Sequence, residues 1–274
     1  MKKKFICLYV FIILIIFVIY AIFIEPNRIT HYDYFIKNEK IPDSFDGFKI
    51  IHLTDIHYGK NFGIKKMNKL VKEINSLDPD IIVITGDFLD KHATFTEQQK
   101  EKIIDGLNSF KASIGKYIIT GNHEHKHSYF AKLIEKTNFK FLDNETDIIY
   151  NESYKKIAIN GYESCTYKTS NFGKNSSFED DLFTISLLHE PDCIKDVLDI
   201  QSSNLVLSGH SHGGQVKLPF IGAVVTPLLG QKYIEGSYQV NGATLYVSTG
   251  IGVSSITARF MNVPSYNVYR LISL

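Results

Sequence analysis

The 274-residue chain lacks an excess of charge of either sign: 30 Lys and Arg stand against 29 Asp and Glu, a formal net charge of +1. No basic stripe with aromatics between its charges occurs, which excludes the electrostatic footprint of a nucleic-acid-binding protein. There is no internal repeat and no low-complexity tract, so solenoids and disordered linkers are excluded as well. Cysteines number only three. Cys7 lies in an apolar run, and Cys165 and Cys193 match no zinc spacing; they can pair or stay free, and read as small packing residues. A dinucleotide fingerprint is also missing. The "STGIGVSS" stretch holds Gly250 and Gly252 but no third glycine and no clear helix after them. With 44% hydrophobic and 22% charged residues, the chain has the content of a folded domain with a large core.

What is present begins at the N-terminus. After "MKKK" come twenty residues without a charge, Phe5 to Ile24. At 1.5 Å per residue about 20 residues cross a hydrocarbon layer of about 30 Å. The run ends "AIFIEP", with no A-x-A-like cleavage site, so it reads as an uncleaved single-pass anchor over residues 1–24. Lys2, Lys3 and Lys4 on one flank predict a cytoplasmic N-terminus and a large domain on the outer side of the cell membrane. Residues 25–47 read as a linker, stalk or edge segment, and 48–274 as the main domain.

From Lys49 the pattern is strand, helix, strand, helix, strand. "KIIHLT", "IIVIT" and "KYIIT" are short apolar strands. "IKKMNKLVKEINSL" places Ile64, Met67, Leu70, Val71, Ile74 and Leu77 on one helix face, and "TEQQKEKIIDGLNSF" is a second helix. This alternation predicts a parallel α/β unit. The second half is richer in strands ("KIAING", "FTISLLHE", "NLVLSGH", "YNVYRLIS"), with an Asn241-Gly242 hairpin signal and one long helix candidate, "PDCIKDVLDI". The expected fold is α/β: two packed mixed β-sheets flanked by helices.

Each of five strands ends in chemistry-bearing side chains. Asp55 and His57 follow the first, Asp87 and Asp90 the second, and Asn122 and His123 the third. His189 and the pair His210 and His212 follow two more. In open α/β sheets sites form at the carboxyl ends of strands. Any one of these pairs has an ordinary reading as a turn or a satisfied histidine; five in order do not. Carboxylate, imidazole and an amide oxygen without thiolate suit Mn, Fe or Zn. Two such ions would clamp an in-line displacement at phosphorus and supply hydroxide near neutral pH.

Here the sequence resembles the calcineurin-like metallophosphoesterases, through D-x-H (Asp55, His57), GD-x-x-D (Asp87, Asp90), GNHE (Gly121 to Glu124), the isolated His189, and GH-x-H (Gly209 to His212). The "HEP" and "GHSHGGQ" stretches and the N-terminal run look like the bacterial membrane-associated phosphodiesterase branch. The resemblance implies two divalent ions: Asp55, His57 and His212 on one, Asn122, His189 and His210 on the other, and Asp87 between them. It also implies that His123 protonates the leaving oxygen and that Asp90 hydrogen-bonds His123. The reaction would be hydrolysis of a phosphodiester or pyrophosphate by metal-bound hydroxide, the phosphoester substrate being membrane-associated, a class that includes lipid-linked phosphates. Two alternatives stand beside this. One is the UDP-2,3-diacylglucosamine pyrophosphatase reaction found among relatives of that branch, whose substrate is made in the cytoplasm. The other is a tethered metal-binding module without turnover, for which His123 would have no use.

Several residues have open roles. Arg259 is either a substrate-phosphate contact or a structural arginine. His125, Lys126 and His127 either extend the site or are solvated loop residues. Phe220, Ile221, Val224 and Leu228 either form an entry for a lipid-linked substrate or fill the core beneath the site. His52, inside a strand, reads as structural. Oligomeric state is not encoded in any of these patterns.

Overall fold

A computed structural model of the chain describes residues 2–167 and 181–274. In chain order the elements are α1 (Lys2–Ile19), β1 (Thr30–Asn38), β2 (Lys49–Leu53), α2 (Ile64–Asn75), β3 (Ile81–Thr85), α3 (Glu97–Asn108), β4 (Gly115–Ile119), α4 (Phe130–Ile134) and β5 (Lys140–Phe141). They continue with β6 (Glu145–Tyr150), β7 (Lys156–Gly161), β8 (Thr184–Leu187), α5 (Ile194–Leu198), β9 (Leu205–Ser208), β10 (Lys217–Leu218), β11 (Gly222–Ala223), β12 (Gly236–Val240), β13 (Ala243–Val247) and β14 (Ser265–Ser273).

Two six-stranded sheets form, β1-β14-β2-β3-β4-β5 and β12-β13-β9-β8-β7-β6. Both are mixed. β2 to β5 run parallel, with β14 antiparallel to β2. In the second sheet β13, β9, β8 and β7 are parallel, and β12 and β6 are antiparallel. The strands are continuous apolar runs because both faces are covered. Strand alternation sends Ile51, Leu53, Ile82, Ile84 and Ile118 toward α2 and α3, where Met67, Leu70 and Ile74 meet them. Ile50, Ile81, Val83 and Ile119 point the other way, onto Ile157, Ile159, Ile185, Leu187, Leu205 and Leu207 of the second sheet. The outer face of that sheet is covered by Ile194 and Val197. Each fully buried aliphatic side chain contributes about 1.5–3 kcal/mol, so the four-layer sandwich is held mainly by these three cores. The architecture expected from the sequence is therefore the one observed.

Three details sharpen or change the sequence reading. Of the alternatives for residues 25–47, the edge segment is the one observed. Thr30–Asn38 is the edge strand of the first sheet, hydrogen-bonded in parallel to β14 over its whole length, so the folded domain begins well before residue 48. The C-terminal strand β14 belongs to the first sheet, between β1 and β2, a pairing across more than 200 residues that no local pattern encodes. The "PDCIKDVLDI" helix shrinks to a 3-10 turn (Pro191–Cys193) and the five-residue α5. Asp192 there spends its carboxylate on the backbone N–H groups of Gln231, Lys232 and Tyr233, which ties the turn to a distant loop. Asn241-Gly242 does form the two-residue hairpin, with φ of 47° and 85°.

Candidate metal centre

The carboxyl ends of β2, β3, β4, β8 and β9 open onto one rim of the sandwich. Asp55, His57, Asp87, Asn122, His123, His189, His210 and His212 meet there, all buried except the half-buried Asn122. The loops reach inward through backbone that most residues avoid. Asp55, His57, Asp87, His210 and His212 have φ of 52°, 48°, 50°, 66° and 51°, in the left-handed region that is uncommon for a residue with a Cβ. Backbone bonds hold these turns in place: His57 N–H donates to Asp87 O at 3.0 Å, and Asp55 N–H to Gly86 O at 3.1 Å. Two glycines allow the loops to touch. A Cβ on Gly121 would collide with the backbone N and carboxylate of Asp87, and one on Gly209 with Thr54 and the Asp55 carboxylate.

The side chains form two adjoining groups. In the first, Asp55 Oδ1 lies 3.4 Å from His212 Nε2 and 4.0 Å from His57 Nε2, and the two imidazole nitrogens are 2.9 Å apart. Asp55 Oδ2 accepts from His210 N–H and the Thr54 hydroxyl, whereas buried Oδ1 has no hydrogen-bond partner. In the second, Asp87 Oδ1 lies 3.4 Å from His189 Nε2, and Asn122 Oδ1 lies 3.3 Å from the same nitrogen. Asp87 faces both groups, since its Oδ2 is 3.7 Å from His57 Nε2. Asp55, His57 and His212 are close enough together to hold a metal ion, as are Asp87, His189 and His210.

Hydrogen bonding outside the cluster tests whether cations fit. His189 Nδ1 is 2.7 Å from Thr85 O and His210 Nε2 is 2.8 Å from Leu228 O. A carbonyl only accepts, so both of those nitrogens carry the proton. In neutral rings the remaining nitrogens, His189 Nε2 and His210 Nδ1, then present lone pairs to each other at 3.2 Å. Only a proton or a metal ion between them relieves that repulsion. A carbonyl behind the ligating ring is the usual partner of a metal-bound histidine. Without an ion, burial works against a charged His189, yet Asp87 beside it raises its pKa well above the ordinary value. Burial lowers His57, His210 and His212, keeping them in the neutral form that ligates. Burial also pushes Asp55 up to about 6, the signature of a carboxylate short of positive charge. The donor set fits divalent cations.

Around the groups, some residues have roles that the sequence reading missed. Glu124 is buried, and its carboxylate accepts three backbone N–H groups: Asp87 and Leu89 at 2.9 Å and Gly121 at 2.7 Å. It clamps the loops after β3 and β4 together; its place inside the GNHE motif was the available signal. Arg259 does not reach the site's mouth. It is fully buried, and its guanidinium donates to the carbonyls of Thr249, Gly250, Gly252 and Asn262 while standing 3.3 Å from His212 Nδ1. A substrate phosphate would have to displace those carbonyls, so the phosphate-contact reading gives way to a structural one behind His212. Asp90 Oδ2 is 3.7 Å from His123 Nδ1, too long for the expected hydrogen bond. That nitrogen instead accepts the Lys91 N–H at 3.1 Å, leaving the neutral ring's proton on Nε2. His127 is buried and bonded to Asp90 O, neither substrate contact nor solvated loop, while His125 and Lys126 are exposed. His52 is structural, bonded to Thr85 at 2.8 Å and lowered to about 3 by burial. The loop around Gly250 borders the site, since Gly252 N–H donates to Asp55 O.

A cavity of about 280 Å³ opens over the cluster, lined by Asp87, Asn122, His123, His210 and His212 on one side and by Val225, Pro227 and Ile256 on the other. Phe220, Ile221, Val224 and Leu228 are exposed rather than core. Cys165 and Cys193 are buried and joined as a disulfide, beside Glu190, which accepts from Ser164, Cys165 N–H and Thr166. The helix over Lys4–Asn27 is long and apolar enough to cross a membrane by length and composition.

Residues 48–214 match the model of the calcineurin-like phosphoesterases. The chain is 35% identical over 257 residues to the uncharacterized metallophosphoesterase YkuE of Bacillus subtilis, covering 92% of this chain and 89% of that one. It is 31% identical over 254 residues to a transmembrane protein with metallophosphoesterase domain of Bos taurus, covering 86% of this chain and 55% of that protein. Among solved structures, a dimetal phosphatase from Danio rerio aligns over 75% of this chain and 88% of that one, at 10% identity and a TM-score of 0.45. The chain belongs to the calcineurin-like phosphoesterases and is a phosphoric ester hydrolase.

Proposed function

We propose that the protein is a membrane-anchored phosphoesterase that uses two divalent ions, Mn, Fe or Zn, to cut a phosphodiester or pyrophosphate bond in a membrane-associated substrate. Asp55, His57 and His212 would hold one ion and Asn122, His189 and His210 the other, with Asp87 between them. The observation that carries this is the pair of ring nitrogens, His189 Nε2 and His210 Nδ1, turned toward each other at 3.2 Å by the carbonyls behind both rings. When bound, such ions neutralise phosphate charge and acidify a water for attack. The chain's own residues do the rest. Burial of Asp55 and Asp87 keeps their charge unscreened, Glu124 fixes the loop that carries Asp87, and His123, once protonated to the imidazolium, delivers the Nε2 proton to the departing oxygen and returns to the neutral ring. A poor leaving group needs that proton, so His123 favours turnover over a metal-binding module. Stripping metal from the purified full chain with a chelator is expected to abolish hydrolysis of an artificial phosphodiester, and adding Mn or Zn back to restore it. Unchanged hydrolysis after verified metal removal would refute the reading.

The anchor helix and the flanking lysines support a cytoplasmic N-terminus with the domain outside. The Cys165–Cys193 disulfide agrees, because such bonds persist in oxidising compartments. It also weighs against the UDP-2,3-diacylglucosamine reaction, whose substrate is cytoplasmic. Quenching living cells in acid and labelling the thiols of the denatured protein is expected to modify Cys7 alone. Labelling of all three cysteines would move the domain to the reducing side.

A further inference from the structure

Among the described residues of the domain, the β10–β11 hairpin and its return limb carry a run of strongly exposed apolar side chains. Phe220 and Ile221 at its tip are 109% and 72% exposed, and Val225 and Leu228 on its return limb 73% and 75%. Large contiguous apolar surface on a folded domain marks a binding face. Between Val216 and Ile234 there is no acidic residue, while Lys217 and Lys232 are basic.

The hairpin's position names its occupant. Its first strand is bonded to the 259–261 segment, Lys217 N–H donating to Phe260 O at 2.9 Å and Phe260 N–H to Gln215 O at 3.1 Å. That segment is in turn bonded to the anchor helix: Arg259 N–H donates to Ala21 O at 2.9 Å, and the Phe260 ring stands edge-on to Phe17 at 5.7 Å. Buried Glu25, just past the helix, accepts the N–H groups of Met261 and Asn262. Phe17 lies seven residues before the end of the uncharged run at Ile24, about 10 Å down the helix axis. If α1 spans the bilayer, Phe260 sits below the water boundary, at the depth of about 5–10 Å that interfacial elements reach. The hairpin is hydrogen-bonded to the same segment.

We infer that the 217–228 hairpin is a second membrane-contact element, inserted in the outer leaflet of the bilayer that α1 spans. This inference rests on the anchored reading above. It also links the bilayer to the site. The return limb ends at Leu228, whose carbonyl holds His210 Nε2 at 2.8 Å, and Val225 and Pro227 wall the cavity over His123 and His212. A phosphate at headgroup depth therefore meets the cluster without its lipid leaving the membrane. The substrate class this favours is an amphiphile whose scissile phosphate joins a polar head to acyl or prenyl chains.

The chain has no tryptophan, so Phe220→Trp places a single indole at the tip, which can be excited apart from the tyrosines. The full chain would be reconstituted in vesicles of phosphatidylcholine and phosphatidylglycerol, with and without bromine on the upper acyl carbons. The indole emission of the Phe220→Trp variant is expected to shift to shorter wavelength and to be quenched by at least about half in brominated vesicles, as for a side chain in the acyl boundary. Leu228→Trp, on the other limb, should behave the same way, so failure of one variant to fold leaves a second readout. Tyr154→Trp, at an 89% exposed position near the opposite ends of the strands, should stay unquenched. Phe17→Trp separates the two readings. Quenching at 17 but not at 220 or 228 overturns the hairpin inference alone, and no quenching at 17 overturns the anchor. Blue-shifted emission at 220 without quenching would mean that a protein surface covers the hairpin, and would overturn the inference too.

Discussion

Replacing Asp87 by asparagine is expected to lower kcat on an artificial phosphodiester at least about 10³-fold, the equivalent of some 4 kcal/mol. Asp87 is the one side chain facing both groups, with Oδ1 3.4 Å from His189 Nε2 and Oδ2 3.7 Å from His57 Nε2. Asparagine keeps an oxygen to accept the His123 N–H, which Oδ1 now does at 2.8 Å. The loop therefore survives while the negative charge between the two cation positions is lost. Measured metal content should drop together with activity, and circular dichroism should be unchanged. Full activity in a variant that folds and binds metal normally would remove Asp87 from the bridging position and with it the two-ion reading.

Removing the His123 side chain is expected to have the second-largest effect. His123→Ala should lower kcat by about 10²–10⁴-fold for a substrate with an alkoxide leaving group. The loss should shrink to less than about tenfold when the leaving group is a nitrophenolate, which departs without a proton. Metal content should stay unchanged, and that measurement decides between two roles. His57, Asp87 and His123 also lie close enough together to hold an ion. If His123→Ala lost metal, and lost activity equally for both leaving groups, His123 would be a ligand rather than an acid.

Much of this was legible in the chain itself. The apolar runs of β2, β3 and β4 with the helical spacing of Met67, Leu70, Val71 and Ile74 between them follow from local periodicity. The Asn241-Gly242 turn follows from the ease with which both residues take positive φ. Elements set by distant partners were not legible. The stretch that becomes β1 reads equally as a stalk or an edge segment until β14 pairs with it. The "PDCIKDVLDI" stretch has helical composition, but the bonds of Asp192 to the 231–233 backbone hold its start in a 3-10 turn. Arg259 reads equally as a phosphate contact or as a structural arginine in sequence, because nothing in the chain marks whether carbonyls will surround it.

The sequence by itself determined which side chains reach the rim of the sheets. Each stands directly after a strand, and parallel strands deliver their ends to one side. What only the tertiary structure decided is how they are aimed. Five of them sit in left-handed backbone, a conformation that their residue types disfavour and that distant hydrogen bonds impose. The tautomers of His189 and His210 depend on the carbonyls of Thr85 and Leu228, one of them on another strand and the other at the foot of the exposed hairpin. Local propensity sets where a strand ends. Where a ring nitrogen points, and whether it carries a proton, depends on groups that come near it only once the chain has folded.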